Sequence, residues 1–143
     1  MENIWIVDGH CDSLGNLADH KRDLVSPADY GHWDFVKAKA GNIGLQFFAA
    51  YIEEEYKPFL ATQRGLQLVE SALSFIDHYP DKFYLIRRKE DLDKLGSTAQ
   101  VCLLINIEGG EILGESIFML HLLYRLGVRS IGLTWNQRNA IAD

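Results

Sequence analysis

Apolar residues fall into two kinds of pattern along this chain. Ile4–Val7 (IWIV), Ile43–Ile52 (IGLQFFAAYI), Val101–Ile107 (VCLLINI) and Val128–Leu133 (VRSIGL) are short, nearly continuous runs with a glycine or an acid at one end or both. Such runs predict strands buried on both faces, as in a parallel sheet. Thr62–His78 is different. Leu66, Val69, Leu73 and Ile76 recur at spacings of three and four, which is one stripe of a helix. Thr62 is its expected N-cap, and Pro80 bars continuation. Shorter helices are expected over His32–Ala40, stopped by Gly41, over Lys89–Leu95, ended by Gly96, and over Glu115–Leu126, stopped by Gly127. In the last of these, Ile117, Leu120, Leu123 and Tyr124 are expected on the buried side. Phe83–Ile86 reads as a short extended piece. Residues 13–31 are polar, punctuated by Pro27 and Gly31, and read as loop. Trp5, Trp33, Phe47 and Phe48 read most simply as core aromatics.

Apolar strands alternating with helices predict a parallel sheet covered by helices, an α/β architecture. In such folds ligands bind beyond the carboxyl ends of the strands. The first strand runs into Asp8-Gly9-His10-Cys11-Asp12, the third into Glu108-Gly109-Gly110, and the last into Thr134-Trp135-Asn136-Gln137-Arg138. Residues two apart in an extended backbone point to the same side, so His10 and Asp12 converge on one point. An imidazole nitrogen and a carboxylate there are ligands that Zn²⁺ accepts. Glu108, at the edge of a buried sheet, needs a cation to offset its charge. If the strands are parallel neighbours, His10, Asp12 and Glu108 form a metal-binding set. A carboxylate can bridge two metals, and a pair roughly 3.5–4 Å apart can hold a hydroxide as nucleophile.

The remaining polar residues read more plainly. Asp8 is suited to capping backbone amides at the turn. Cys11 alternates away from His10 and Asp12 and reads as packing; Cys102 lies inside a strand and reads as core. His20 and His32 read as surface residues, His78 as a helix C-terminal histidine, and His121 as a satisfied side chain. Trp135, in a polar loop at the rim, is either a wall of a substrate pocket or a packing residue.

Composition narrows the function classes. The chain has 143 residues and a net charge of −6, with 48% hydrophobic and 24% charged residues. That is ordinary for one globular domain, residues 1–143. No basic surplus exists to neutralise phosphates, which argues against nucleic acid as a partner. The one basic cluster, Arg87-Arg88-Lys89, runs directly into Glu90-Asp91 and reads as a solvated helix start. No apolar run reaches the roughly 18–20 residues that span a membrane, so no membrane association is expected. Two cysteines make no disulfide framework, and the first residues lack a signal-peptide pattern. A cytoplasmic chain is the expectation.

Val7-Asp8-Gly9-His10-Cys11-Asp12, Gly44-Leu45-Gln46-Phe47-Phe48-Ala49, Ile107-Glu108-Gly109-Gly110 and Gly132–Asp143 (GLTWNQRNAIAD) occur in this order. Together they resemble the N-terminal half of the renal (membrane) dipeptidase family, peptidase family M19. The resemblance implies a (β/α)8 TIM barrel of the metal-dependent hydrolase type with two zinc ions. It implies that His10 and Asp12 bind the first zinc, that Glu108 bridges both, and that a metal-bridged hydroxide hydrolyses a dipeptide. Trp135 stands where renal-type members carry a substrate-contacting histidine, which implies altered substrate preference. The resemblance also implies that two further histidine ligands, a proton-transferring aspartate and a carboxylate-reading arginine lie beyond Asp143. A TIM barrel takes about 250 residues, and four strong strands are visible here. This chain is therefore expected to hold about the first half of the barrel. Two alternatives remain. One is a non-catalytic half-barrel that self-associates or needs a complementary half, since open edges favour association. The other is an amidohydrolase acting on other amide bonds.

Overall fold

The computed structural model describes residues 4–96 and 99–143. Among these residues five strands form one all-parallel sheet: β1 (Ile6–Asp8), β2 (Ile43–Tyr51), β3 (Phe83–Leu85), β4 (Val101–Glu108) and β5 (Val128–Ile131). The helices are α1 (Ser13–Ala18), α2 (Phe35–Ala40), α3 (Ala61–His78) and α4 (Ile117–Leu126), joined by short 3₁₀ turns. β2 lies between β1 and β4 and occupies one edge of β4 along Cys102–Glu108. β3 and β5 therefore share the other edge, β3 against its start and β5 against its end. The fifth strand is the short extended piece expected at Phe83.

The period of two sorts the sheet into two faces. Phe48, Ala50 and Ile52 of β2 and its continuation, with Val101, Leu103, Ile105 and Ile107 of β4, meet α3 and the other helices in the main core. Trp33 belongs to this core, edge-on to Phe48 at 4.8 Å between ring centroids. Leu45 and Cys102, with Phe47 and Leu104, form a smaller cluster on the opposite face, closed by Ile86 and Leu95. Alternation puts Glu108 on that second face, at the top of its strand.

α3 is the central covering helix, but its buried face is turned from the expected stripe. Arg64, Gly65, Leu68, Val69, Ala72, Phe75 and Ile76 are buried, while Leu66 and Leu73 flank them. Leu60 occupies the cap position, and the Thr62 hydroxyl instead donates to the Ile112 carbonyl at 3.0 Å. Gly65 permits this close approach, because a Cβ there would lie 2.4 Å from Ile112 Cδ1. Gly65→Ala should therefore destabilise by about 1–3 kcal/mol through overpacking, although alanine is the better helix former. A urea midpoint unchanged or raised in Gly65→Ala would refute this.

Three expectations need correction. Residues 13–31 are not all loop: Ser13–Ala18 is α1, which buries Leu14 and Ala18 against the core. β1 is not buried, since Ile6 and Val7 are 49% and 48% exposed and Trp5 is also partly open. Among the described residues β1 is an edge strand that pairs with β2 alone, and no strand covers its outer side. On α4, Leu123 alone is buried, whereas Ile117, Phe118, Leu120 and Tyr124 are exposed. This helix presents an apolar face that no element among the described residues covers.

Candidate metal centre

Each proposed ligand follows the carboxyl end of a strand. β1 ends at Asp8, whose Oδ1 accepts the His10 backbone N–H at 3.1 Å, the capping role expected from the turn. The Ala49 N–H donates to the Cys11 carbonyl at 2.9 Å, which ties the turn to β2. Cys11 packs partly against the main core, so the residues flanking it, His10 and Asp12, are free to point elsewhere. β4 ends at Glu108, opposite Tyr51 in register.

β1 and β4 are not neighbours, because β2 intervenes. The side chains nonetheless meet. His10 Nε2 lies 3.1 Å and 3.2 Å from the two Asp12 carboxylate oxygens, and 3.5 Å from Glu108 Oε2. One ligand atom from each of His10, Asp12 and Glu108 lies within 4.8 Å of the others. His10 and Asp12 are exposed, while Glu108 is largely buried. Burial pushes the Glu108 carboxyl above its ordinary value; His10 opposes this, and the Asp12 charge adds to the rise. Two carboxylates thus stand together with an imidazole within reach of both, and the Lys57 charge lowers the Glu108 carboxyl only as a minor influence. This donor set fits a borderline divalent metal such as Zn²⁺.

The third rim segment follows β5. Gly132 N–H donates to the Ile107 carbonyl, and Gly110 N–H to the Leu133 carbonyl, stitching the β4 and β5 ends together. Trp135 is exposed at this rim and packs edge-on against Tyr51, with ring centroids 5.1 Å apart. Sequence reasoning missed Tyr51, Lys57 and Glu111 around Glu108. The Lys57 ammonium lies 3.1 Å from Glu111 Oε1 and 5.1 Å from the Tyr51 ring centre. Their signal was position alone: Tyr51 ends β2, and Lys57 and Glu111 lie in the segments that follow β2 and β4.

The family model of the membrane dipeptidases (peptidase family M19) matches residues 1–143. The chain belongs to this family. Among curated M19-like relatives, it is 29% identical to Dipeptidase 3 of Rattus norvegicus over 94% of this chain and 28% of that protein. It is 24% identical to Dipeptidase verJ of Clonostachys rogersoniana over 100% of this chain and 41% of that one. The chain thus spans well under half the length of these curated relatives. A solved M19 metallopeptidase, dipeptidase AC, superposes with a TM-score of 0.84 at 25% identity, covering 95% of this chain and 44% of that one. A metallopeptidase from Rhodobacter sphaeroides, solved with a phosphinate mimic of the dipeptide L-Ala-D-Ala, shares the fold at TM-score 0.83 and 23% identity. The architecture is therefore that of the M19 dipeptidase barrel, of which this chain makes about 45%. Among the described residues, no helix is long and apolar enough to cross a membrane.

Proposed function

We propose that this chain carries the first-metal ligands and the bridging carboxylate of a zinc-dependent dipeptidase. The observation that carries this reading is the convergence of His10, Asp12 and Glu108 from two strand ends that β2 separates. His10 would bind through Nε2, Asp12 through one carboxylate oxygen, and Glu108 through one or both of its oxygens. When bound, zinc would lower the pKa of a water and polarise the peptide carbonyl. The chain's own groups do the rest: Asp8 holds the His10 backbone, and Tyr51 with Trp135 forms an aromatic wall beside Glu108. That wall suits an apolar side chain of a dipeptide.

A substrate panel tests the reading. This chain, extended to the length of its relatives, should turn over dipeptides, including one with a C-terminal D-residue, faster than lactams or N-acyl amino acids. Preference for the latter would favour the amidohydrolase alternative, and no hydrolysis of any of them would refute the proposal. Trp135→Ala should raise KM for dipeptides with bulky apolar side chains more than for alanyl-alanine. Equal effects on both would remove Trp135 from the pocket.

A second reading rests on the two open edges and the uncovered face of α4. Exposed strand edges and contiguous apolar surface favour association. On this reading the 143-residue chain self-associates or takes up a complementary half. Light scattering of the chain alone should then give a mass above that of the monomer if it self-associates, and a stable monomer would exclude self-association.

A further inference from the structure

Glu111 is an unusual residue for this rim. Its side chain is 8% exposed and its carboxylate oxygens are buried without an aligned hydrogen bond. It faces Lys57, itself 10% exposed, across 3.1 Å. Such a pair is expensive to desolvate and weak as a source of stability. Its position suggests another use.

Both partners flank Glu108. On one side, the Glu111 carboxylate lies over Gly109, the residue directly after Glu108. A Cβ at Gly109 would come 2.2 Å from Glu111 Oε2, and Gly109 has φ +91°, a conformation suited to glycine. The turn that carries Glu108 out of β4 therefore runs directly under this carboxylate. On the other side, the Lys57 ammonium lies over the ring of Tyr51, and Tyr51 is the register partner of Glu108. One ammonium thus links the loop after β2 to the turn after β4. Removing either charge leaves the other buried and unpaired. It would then swing toward water, releasing Gly109 on one flank and Tyr51 on the other.

We propose that Lys57 and Glu111 are positioning residues, an ion pair that fixes the Glu108 carboxylate for metal binding. This rests on the metal-site reading above. It is tested with Co²⁺ alone as the probe, by titrating the chain and its variants and following the d–d absorption, with urea unfolding of each variant alongside. The chain should bind Co²⁺, and Glu108→Ala should not. Lys57→Met and Glu111→Gln should each bind about 10- to 100-fold more weakly, the range typical of groups that orient a ligand. Lys57→Arg, which keeps the charge, should bind as the original does. If Lys57→Met fails to fold, Glu111→Gln decides, since it keeps shape and loses charge alone. Wild-type affinity in folded Lys57→Met or Glu111→Gln overturns the positioning role while leaving the metal site standing. So does a loss in Lys57→Arg equal to that in Lys57→Met. Failure of the unsubstituted chain to bind Co²⁺ overturns the metal site and this role together.

Discussion

Glu108→Ala and His10→Ala are expected to weaken divalent-metal binding by more than about 100-fold, beyond what groups behind the ligands contribute. Each removes one of three donors that meet within 4.8 Å. The effect on the metal-free protein should be opposite in sign for Glu108. Its carboxyl is raised above the ordinary value by burial and faces the Asp12 charge, so deleting it relieves an unfavourable group. Metal-free Glu108→Ala should therefore be as stable as the original chain or more so, in keeping with the cost of maintaining a functional site. Added Zn²⁺ should raise the urea midpoint of the original chain, by about 2.7 kcal/mol at a hundredfold excess over Kd, and leave that of Glu108→Ala unmoved. Equilibrium dialysis gives the affinity, and urea melts with chelator or Zn²⁺ give the linkage. Equal Zn²⁺ stabilisation in both proteins would place the metal elsewhere.

The largest stability effect is expected at Arg64, on α3. It is 2% exposed, and its guanidinium donates to Glu53 at 2.7 and 3.0 Å and to Asp19 at 2.8 Å. Asp19 caps the end of α1 and Glu53 follows β2, so one side chain joins three elements. Arg64→Met should destabilise by roughly 3 kcal/mol, the lower end for breaking a buried pair, because both carboxylates keep partial access to water. The hydrogen bonds from Arg64 hold Asp19 and Glu53 below their ordinary values of 3.8 and 4.5. Depressed carboxyls contribute stability that is complete above those ordinary values and lost as pH falls through the lower folded ones. The original chain should therefore lose stability steeply with acid in that window, and Arg64→Met should lose less. Parallel pH profiles of the two urea midpoints would contradict this assignment.

The candidate rim residues were legible because their signal is local. His10-x-Asp12 and Glu108 follow apolar runs, and the period of two alone sets His10 and Asp12 on one side of the chain. β2, α3 and β4 were legible for the same reason, as their residue patterns repeat over nine, eighteen and eight residues. α1 was missed because six residues of SLGNLA, with a glycine and an asparagine inside, carry little propensity. The spacing of Leu14, Leu17 and Ala18 was the available signal. Arg64 was hidden differently. It lies four residues before Leu68 on the buried face, and no local rule puts a charge there without knowledge of its partners. Its carboxylates are 45 and 11 residues away in sequence.

The sequence by itself determined the parallel α/β class and the strand ends, and it singled out His10, Asp12 and Glu108, since each of these signals depends on residues within a few positions along one strand end. Tertiary structure decided which strands are neighbours, and therefore that His10 reaches Glu108 across β2. It also decided what is buried. Ile6 and Val7 of β1 and Ile117, Leu120 and Tyr124 of α4 read as core from their pattern, yet they are exposed, because burial depends on what packs against an element and not on its own periodicity. The Lys57–Glu111 pair that flanks Glu108 arose in the same way, from two loops that only the fold brings together.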